Sequence, residues 1–259
     1  MSIADFRPYV PAPGESKIAG DTARSHAQAI VRKDLIIGIF DYWKGLFTQP
    51  FKGITTNNLP PPGLFSLRSE NAPTEGAVKA SIYLLDQLSV EQRAGACFNV
   101  DSDQWRNWQN TEIYVESHGL RLEELERHLR EAVLEVIRAS LSERGYENTR
   151  KVMRLNRFLG ELVGGPGVMG EWSYIFCLFG LPSIKQPWGW QLFGHHLALN
   201  CLFIDQQMVL TPTFMGAEPN YADEGPFKNL RAFQDEERMG LEFMRSLSPE
   251  QQSKALIAN

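Results

Sequence analysis

The chain has 259 residues, 43% hydrophobic and 22% charged. That is globular composition, and it excludes intrinsic disorder and collagen-like or purely coiled-coil architecture. The formal charge of −5 leaves no basic surplus to neutralise phosphates, so general nucleic-acid binding is not expected. No apolar run approaches the roughly 18–20 residues that span a bilayer. Met1-Ser2-Ile3-Ala4-Asp5 lacks the basic-then-apolar pattern of a secretory signal. The three cysteines are scattered, which suits a reducing setting rather than a disulfide framework. Cytoplasmic residence is the expectation.

Residues 1–20 carry Pro8, Pro11, Pro13 and Gly14 and read as an extended arm; a single domain is expected over 21–259. A helix is predicted from about Asp21 to Phe47, weakened at Gly38 and Gly45. Residues 48–73 are proline-rich and form a long loop, with Phe51, Ile54, Leu59, Leu64, Phe65 and Leu67 as apolar anchors. A helix over 75–88 follows. Ser89 with Gln92, and Ser248-Pro249 with Gln251, have the spacing of capping boxes. Leu122, Leu125, Leu129, Val133, Val136, Ile137 and Leu141 make an amphipathic stripe ended by Gly145, and a second helix runs on to Gly164. The stripe fits a core or, as a second reading, a homo-oligomer interface.

The middle of the chain turns aromatic. Trp172–Phe179 reads as a strand, Gly189–Ile204 as a long one, and Asp205-Gln206 as a hairpin turn before a returning strand to Thr213. A last helix is expected over 230–247. The fold class expected is α+β, with several amphipathic helices packed on a small, mainly antiparallel sheet.

Alternation along the long strand assigns Gln191, Phe193, His195, Leu197, Leu199 and Cys201 to one face, and Trp190, Leu192, Gly194, His196, Ala198 and Asn200 to the other. On this reading Gly194 and Ala198 leave space around His196, and Asn200 shares its hollow. His196 is the candidate metal ligand. His195 is a core histidine unless a bulge at Gly194 turns it into the same site as a second ligand. Glu218, on a loop after the returning strand, is a candidate base or carboxylate ligand. Glu237 is another, because the stripe Leu230, Phe233, Leu241, Met244 places it on an apolar face; the plainer alternative for it is a salt bridge with Arg231 or Arg245. Trp105, Trp108 and Trp190 are candidate pocket walls, with Asn200 and Asn110 as polar contacts to substrate. Asp101 and Asp103 lack the rest of a calcium loop, and Gly164-Gly165-Pro166-Gly167 lacks the ending of a phosphate loop.

Several long words are familiar. Pro187-Trp188-Gly189-Trp190-Gln191-Leu192-Phe193-Gly194-His195-His196-Leu197-Ala198-Leu199-Asn200 and Thr211-Pro212-Thr213-Phe214-Met215-Gly216-Ala217-Glu218-Pro219 resemble the domain of unknown function 3500 family. So do Pro50-Phe51-Lys52-Gly53-Ile54-Thr55, Trp105-Arg106-Asn107-Trp108-Gln109-Asn110 and Phe179-Gly180-Leu181-Pro182-Ser183, from about residue 48 onward. The resemblance implies little chemistry. Longer relatives add a tyrosine-rich strand and a His-x-His segment that would bring further ligands to His195 or His196. Two readings follow. One is a metal-dependent enzyme on a small organic molecule, with a divalent transition metal on His196 and His195 activating water or dioxygen, and Glu218 or Glu237 as carboxylate. The other is a small-molecule-binding or interaction protein without turnover.

Overall fold

Helices of the N-terminal half pack onto a sheet that the second half mainly builds. In this computed structural model, residues 6–11, 15–31, 34–50, 63, 66–113 and 118–257 are described. The helices are α1 (Ala23–Ile30), α2 (Asp34–Phe47), α3 (Thr74–Gln87), α4 (Val90–Ala96), α5 (Arg127–Ser140), α6 (Glu143–Leu162), α7 (Gln234–Ser246) and α8 (Pro249–Ala255). The strands are β1 (Cys97–Phe98), β2 (Leu120–Arg121), β3 (Tyr174–Phe179), β4 (Trp188–Gly194), β5 (Leu197–Ile204) and β6 (Gln207–Met215). Their order is β1-β3-β4-β5-β6, with β2 also on β3. β1 runs parallel to β3 and the remaining pairs are antiparallel. The expected α+β class, with a mainly antiparallel sheet, is the observed one. No helix among the described residues is long and apolar enough to cross a membrane.

The sheet is covered on both sides. Tyr174, Phe176 and Leu178 of β3 join Trp188, Trp190, Leu192, Leu199 and Phe203 against α3, α5 and α6. Ile175, Cys177 and Phe179 point the other way, with Phe193 and Ala198, onto Ala23, Ala27 and Ile30 of α1 and Phe40 of α2. Burial on both faces explains why β3 is apolar without alternation. The stripe of α5 is core: Leu129, Val133, Val136 and Ile137 are buried within the chain.

Several boundaries differ from the sequence expectation. The first helix is two, separated after Ile30. Gly38 and Gly45 sit inside α2 with open space where a Cβ would stand, so neither makes the break. Leu122–Glu124 is a 3-10 turn rather than the start of α5. Gly145 does not end α5. It lies in the first turn of α6, where its N–H donates to Ser142 Oγ at 3.1 Å, and the chain turns at Leu141-Ser142. Both capping boxes form. The loop anchors Phe51, Ile54, Leu59, Leu64 and Phe65 lie outside the described residues, and Leu67 is exposed. Of the arm, Arg7 pairs with Asp223 at 2.6 Å, and Phe6 meets Phe158 edge-on.

The largest correction concerns the long strand. Gly194 pairs with Leu197, so Gly189–Ile204 is a hairpin and His195-His196 is its two-residue turn. His196 takes φ 57°, the left-handed region that a side chain adopts at some cost. The turn shifts the alternation by one. Gln191 now faces the same side as Asn200, its register partner, and Trp190 lies on the opposite side of the sheet.

Candidate functional site

Gly189 opens the floor of a cleft. A Cβ there would stand 2.2 Å from the Cys201 carbonyl oxygen and 2.9 Å from the Trp105 ring, so only glycine lets the indole lie this close to the sheet. Trp105 stacks on Phe179 with ring centroids 3.7 Å apart and planes 16° from parallel. Its Nε1 donates to the Val100 carbonyl at 2.8 Å. The wall is therefore fixed by stacking and by one hydrogen bond, on the 3-10 turn Asp103–Arg106.

Gln191 and Asn200 meet on this face. Gln191 Nε2 donates to the Trp105 carbonyl at 3.0 Å and to Asn200 Oδ1 at 2.6 Å. Asn200 Nδ2 donates to the Pro212 carbonyl at 2.7 Å. The two main-chain carbonyls can only accept, so they set which way round each amide lies. β6 carries one extra residue here: Leu199 pairs with Thr213, but Cys201 pairs with Leu210. Pro212 sits in that irregular stretch. Within the bulge its carbonyl is left for a side chain to reach, and its lack of an N–H costs the ladder no bond there.

Arg106 closes the far side. Its Nη1 donates to the carbonyls of Phe47 at 3.3 Å and Gln49 at 2.7 Å, and its Nη2 to Leu46 at 2.9 Å. Those oxygens belong to the last turn of α2 and the residues just after it, where a cation is favoured. The cleft, open to solvent on one side, measures about 660 Å³ and is lined chiefly by Trp105, Trp108, Leu202, Val209 and Pro212, with Asn200, Arg106 and Thr211 as its polar side chains.

The histidines occupy a different corner, at the turn. His195 Nδ1 lies 2.8 Å from Asn156 Oδ1, and Asn156 Nδ2 donates to the Gly170 carbonyl at 2.9 Å. The amide oxygen therefore accepts, and His195 carries its proton on Nδ1. Burial, and next the neighbouring His196, push the His195 imidazole down to about 4, while Glu112 opposes the shift. The two imidazole rings lie 4.0 Å apart. His196 Nε2 is 3.6 Å from Glu218 Oε2, and its Nδ1 is buried with no hydrogen-bond partner. The hollow between them, about 10 Å³, is the size of a single water. Asn200 is four residues away along β5 and takes part in the cleft instead. Among the described residues no group of three or more His, Cys, Asp or Glu side chains is placed to hold a metal ion.

A family model described as protein of unknown function (DUF3500) matches residues 70–259. The chain belongs to this family. No curated protein and no solved structure gives a significant match. The DUF3500 match takes in the histidine turn and the cleft residues from Val100 onward, while Leu46 and Phe47 of the lining precede it. The word at Pro50–Thr55 precedes it, and residues 51–55 lie outside the described ones.

Other candidates scatter within this DUF3500 chain. Trp190 is fully buried on the α5 side, where its Nε1 donates to Ser140 Oγ at 2.9 Å. Asn110 is half-buried and away from the cleft lining, with Oδ1 lacking a partner. Glu237 is exposed, paired with Arg231 at 2.6 Å and hydrogen-bonded by Asn220. Its apolar face was illusory: Leu230 and Phe233 precede α7, which buries no residue. Sequence reading notes Arg106 only among the polar groups beside Trp105 and Trp108, and does not single out Gln191. Arg106 carried a signal, a lone cation between two tryptophans. Gln191 carried none until the hairpin was known.

Proposed function

We propose that this protein binds a flat, largely apolar small molecule in the cleft beside Trp105 and Asn200. One observation carries the reading: a volume of about 660 Å³ with apolar walls and a few convergent polar groups. Pockets of about 300–1,000 Å³ with that make-up are where small organic ligands bind. Trp105 and Asn200 are held by the protein before any ligand arrives, which lowers the ordering cost of binding. Titration with naphthalene-bearing probes, followed by tryptophan emission, tests it. Saturable one-to-one binding is expected, weakened about tenfold or more in Trp108→Ala, the loss of roughly 1.4 kcal/mol. Failure of every such probe to bind removes the reading.

The histidine turn favours a second reading, a metal-dependent enzyme. Its observation is the unpartnered His196 Nδ1 together with Glu218 at 3.6 Å from the same ring. In it His196 and Glu218 would hold a divalent transition metal, which when bound would supply Lewis acidity toward water or dioxygen. Elemental analysis of tag-free protein separates the readings. Stoichiometric metal that is lost in His196→Ala supports the second, and metal content unchanged by that substitution rejects it.

A further inference from the structure

We infer that the molecule taken by the cleft is an organic anion, a carboxylate on a flat apolar body; this rests on the binding reading above. The inference comes from counting donors and acceptors. A guanidinium has five N–H groups. Three of Arg106's go to the carbonyls of Leu46, Phe47 and Gln49. One on Nε and one on Nη2 remain, on the two nitrogens that a carboxylate bridges when it docks side-on. Among the described residues the guanidinium meets no carboxylate. The carbonyls at the end of α2 steady the cation through their partial charge, but they leave its formal charge in place.

Asn200 is spent in the same sense. Its Oδ1 accepts from Gln191 and one N–H donates to Pro212, so what is left is a second N–H and one lone pair on Oδ1. Trp105's only N–H is already given to Val100. With the Trp108 indole N–H, the side chains that line the cleft therefore offer four spare N–H donors and a positive charge, against two side-chain acceptors, the Thr211 hydroxyl and the second lone pair of Asn200 Oδ1. A ligand that arrives with donors finds little to receive them. A ligand that ends in a carboxylate meets two or three donors and an opposite charge, while its ring lies against Trp105 and Trp108.

The test compares 2-naphthoate with 2-naphthalenemethanol by calorimetric titration of the full chain. The ring is the same and only the charged acceptor differs. Naphthoate is expected to bind at least about tenfold more tightly. That advantage should shrink as salt rises from about 0.05 to 0.5 M, because the interaction is partly screened at the cleft mouth, while the alcohol is not weakened. In Arg106→Gln, checked for folding by circular dichroism, acid and alcohol should bind alike. Equal or tighter binding of the alcohol to the unaltered protein overturns the inference and leaves the binding reading standing. If neither probe binds, both fall. Since the decisive comparison uses the native chain, it holds even if Arg106→Gln loses the end of α2 and unfolds.

Discussion

His118 shows what burial does to an imidazole without a partner. Neither ring nitrogen has a hydrogen bond, and the ring lies between Phe98 and Phe193, with centroids 5.8 and 5.7 Å away. Desolvation brings it from 6.5 to about 4. Between those two values the unfolded chain binds a proton that the folded chain refuses. Stability therefore falls as pH drops from about 6.5 toward 4, and the loss is complete below that. His195, also brought to about 4, adds a loss of the same sign. For each imidazole that difference is worth about 3 kcal/mol. His118→Phe keeps the aromatic packing and removes one titration. Its unfolding free energy, measured in urea at several pH values, is expected to match or exceed the native chain at pH 7 and to decline about half as steeply toward pH 4. An unchanged slope would mean that His118 is hydrated in solution. At this scale the sequence named Trp105, Trp108 and Asn200, because tryptophans near a polar loop and an amide in an apolar run are visible locally. Gln191 was not legible. Its partnership with Asn200 exists only through pairing across a turn.

Elements were legible where the signal is short-range. Ser89 with Gln92 and Ser248 with Gln251 fix helix starts by chemistry that spans three residues, and both caps stand where they were expected. The β4–β5 hairpin was hidden for two reasons. His-His is not turn chemistry of the Asn-Gly kind, and both faces of the sheet are buried, so an apolar run continues through the reversal with no change of pattern. A hairpin with a two-residue turn pairs odd-numbered positions with even ones, as with Gln191 and Asn200. A continuous strand separates them. The two arrangements make opposite demands at His196. In a strand, valine would be favoured over glycine. At φ 57° glycine is free of strain, and valine would cost about 1–2 kcal/mol. His196→Gly is thus expected to be more stable than His196→Val by at least about 1 kcal/mol in denaturant unfolding. The reverse order would restore the long strand, and with it the shared hollow of His196 and Asn200.

Taken whole, the molecule is a sheet shared by two cores. β3 sends Tyr174, Phe176 and Leu178 to one and Ile175, Cys177 and Phe179 to the other, so neither helix layer can leave without exposing a face of the sheet. The uninterrupted apolar run of β3 is what burial on both faces requires. The two-residue strands β1 and β2 were beyond reading, since two residues carry no period. Sharing has a thermodynamic consequence. Ile137 is fully buried on the α5 side, away from the cleft, and Ile137→Ala should cost about 2–5 kcal/mol. At about 2–4 °C per kcal/mol for a chain near this size, the melting midpoint falls by several degrees or more. Because β3 couples the layers, the near-ultraviolet signal of Trp105 and the far-ultraviolet helix signal should be lost together, at the same lowered temperature. Naphthoate at a hundred times its Kd should then return about 2.7 kcal/mol to the variant and the native chain alike, since its site is untouched by the substitution. Loss of the tryptophan signal well before the helices would show instead that the α1–α2 layer and its cleft unfold alone, and that the ligand stabilises that layer rather than the molecule.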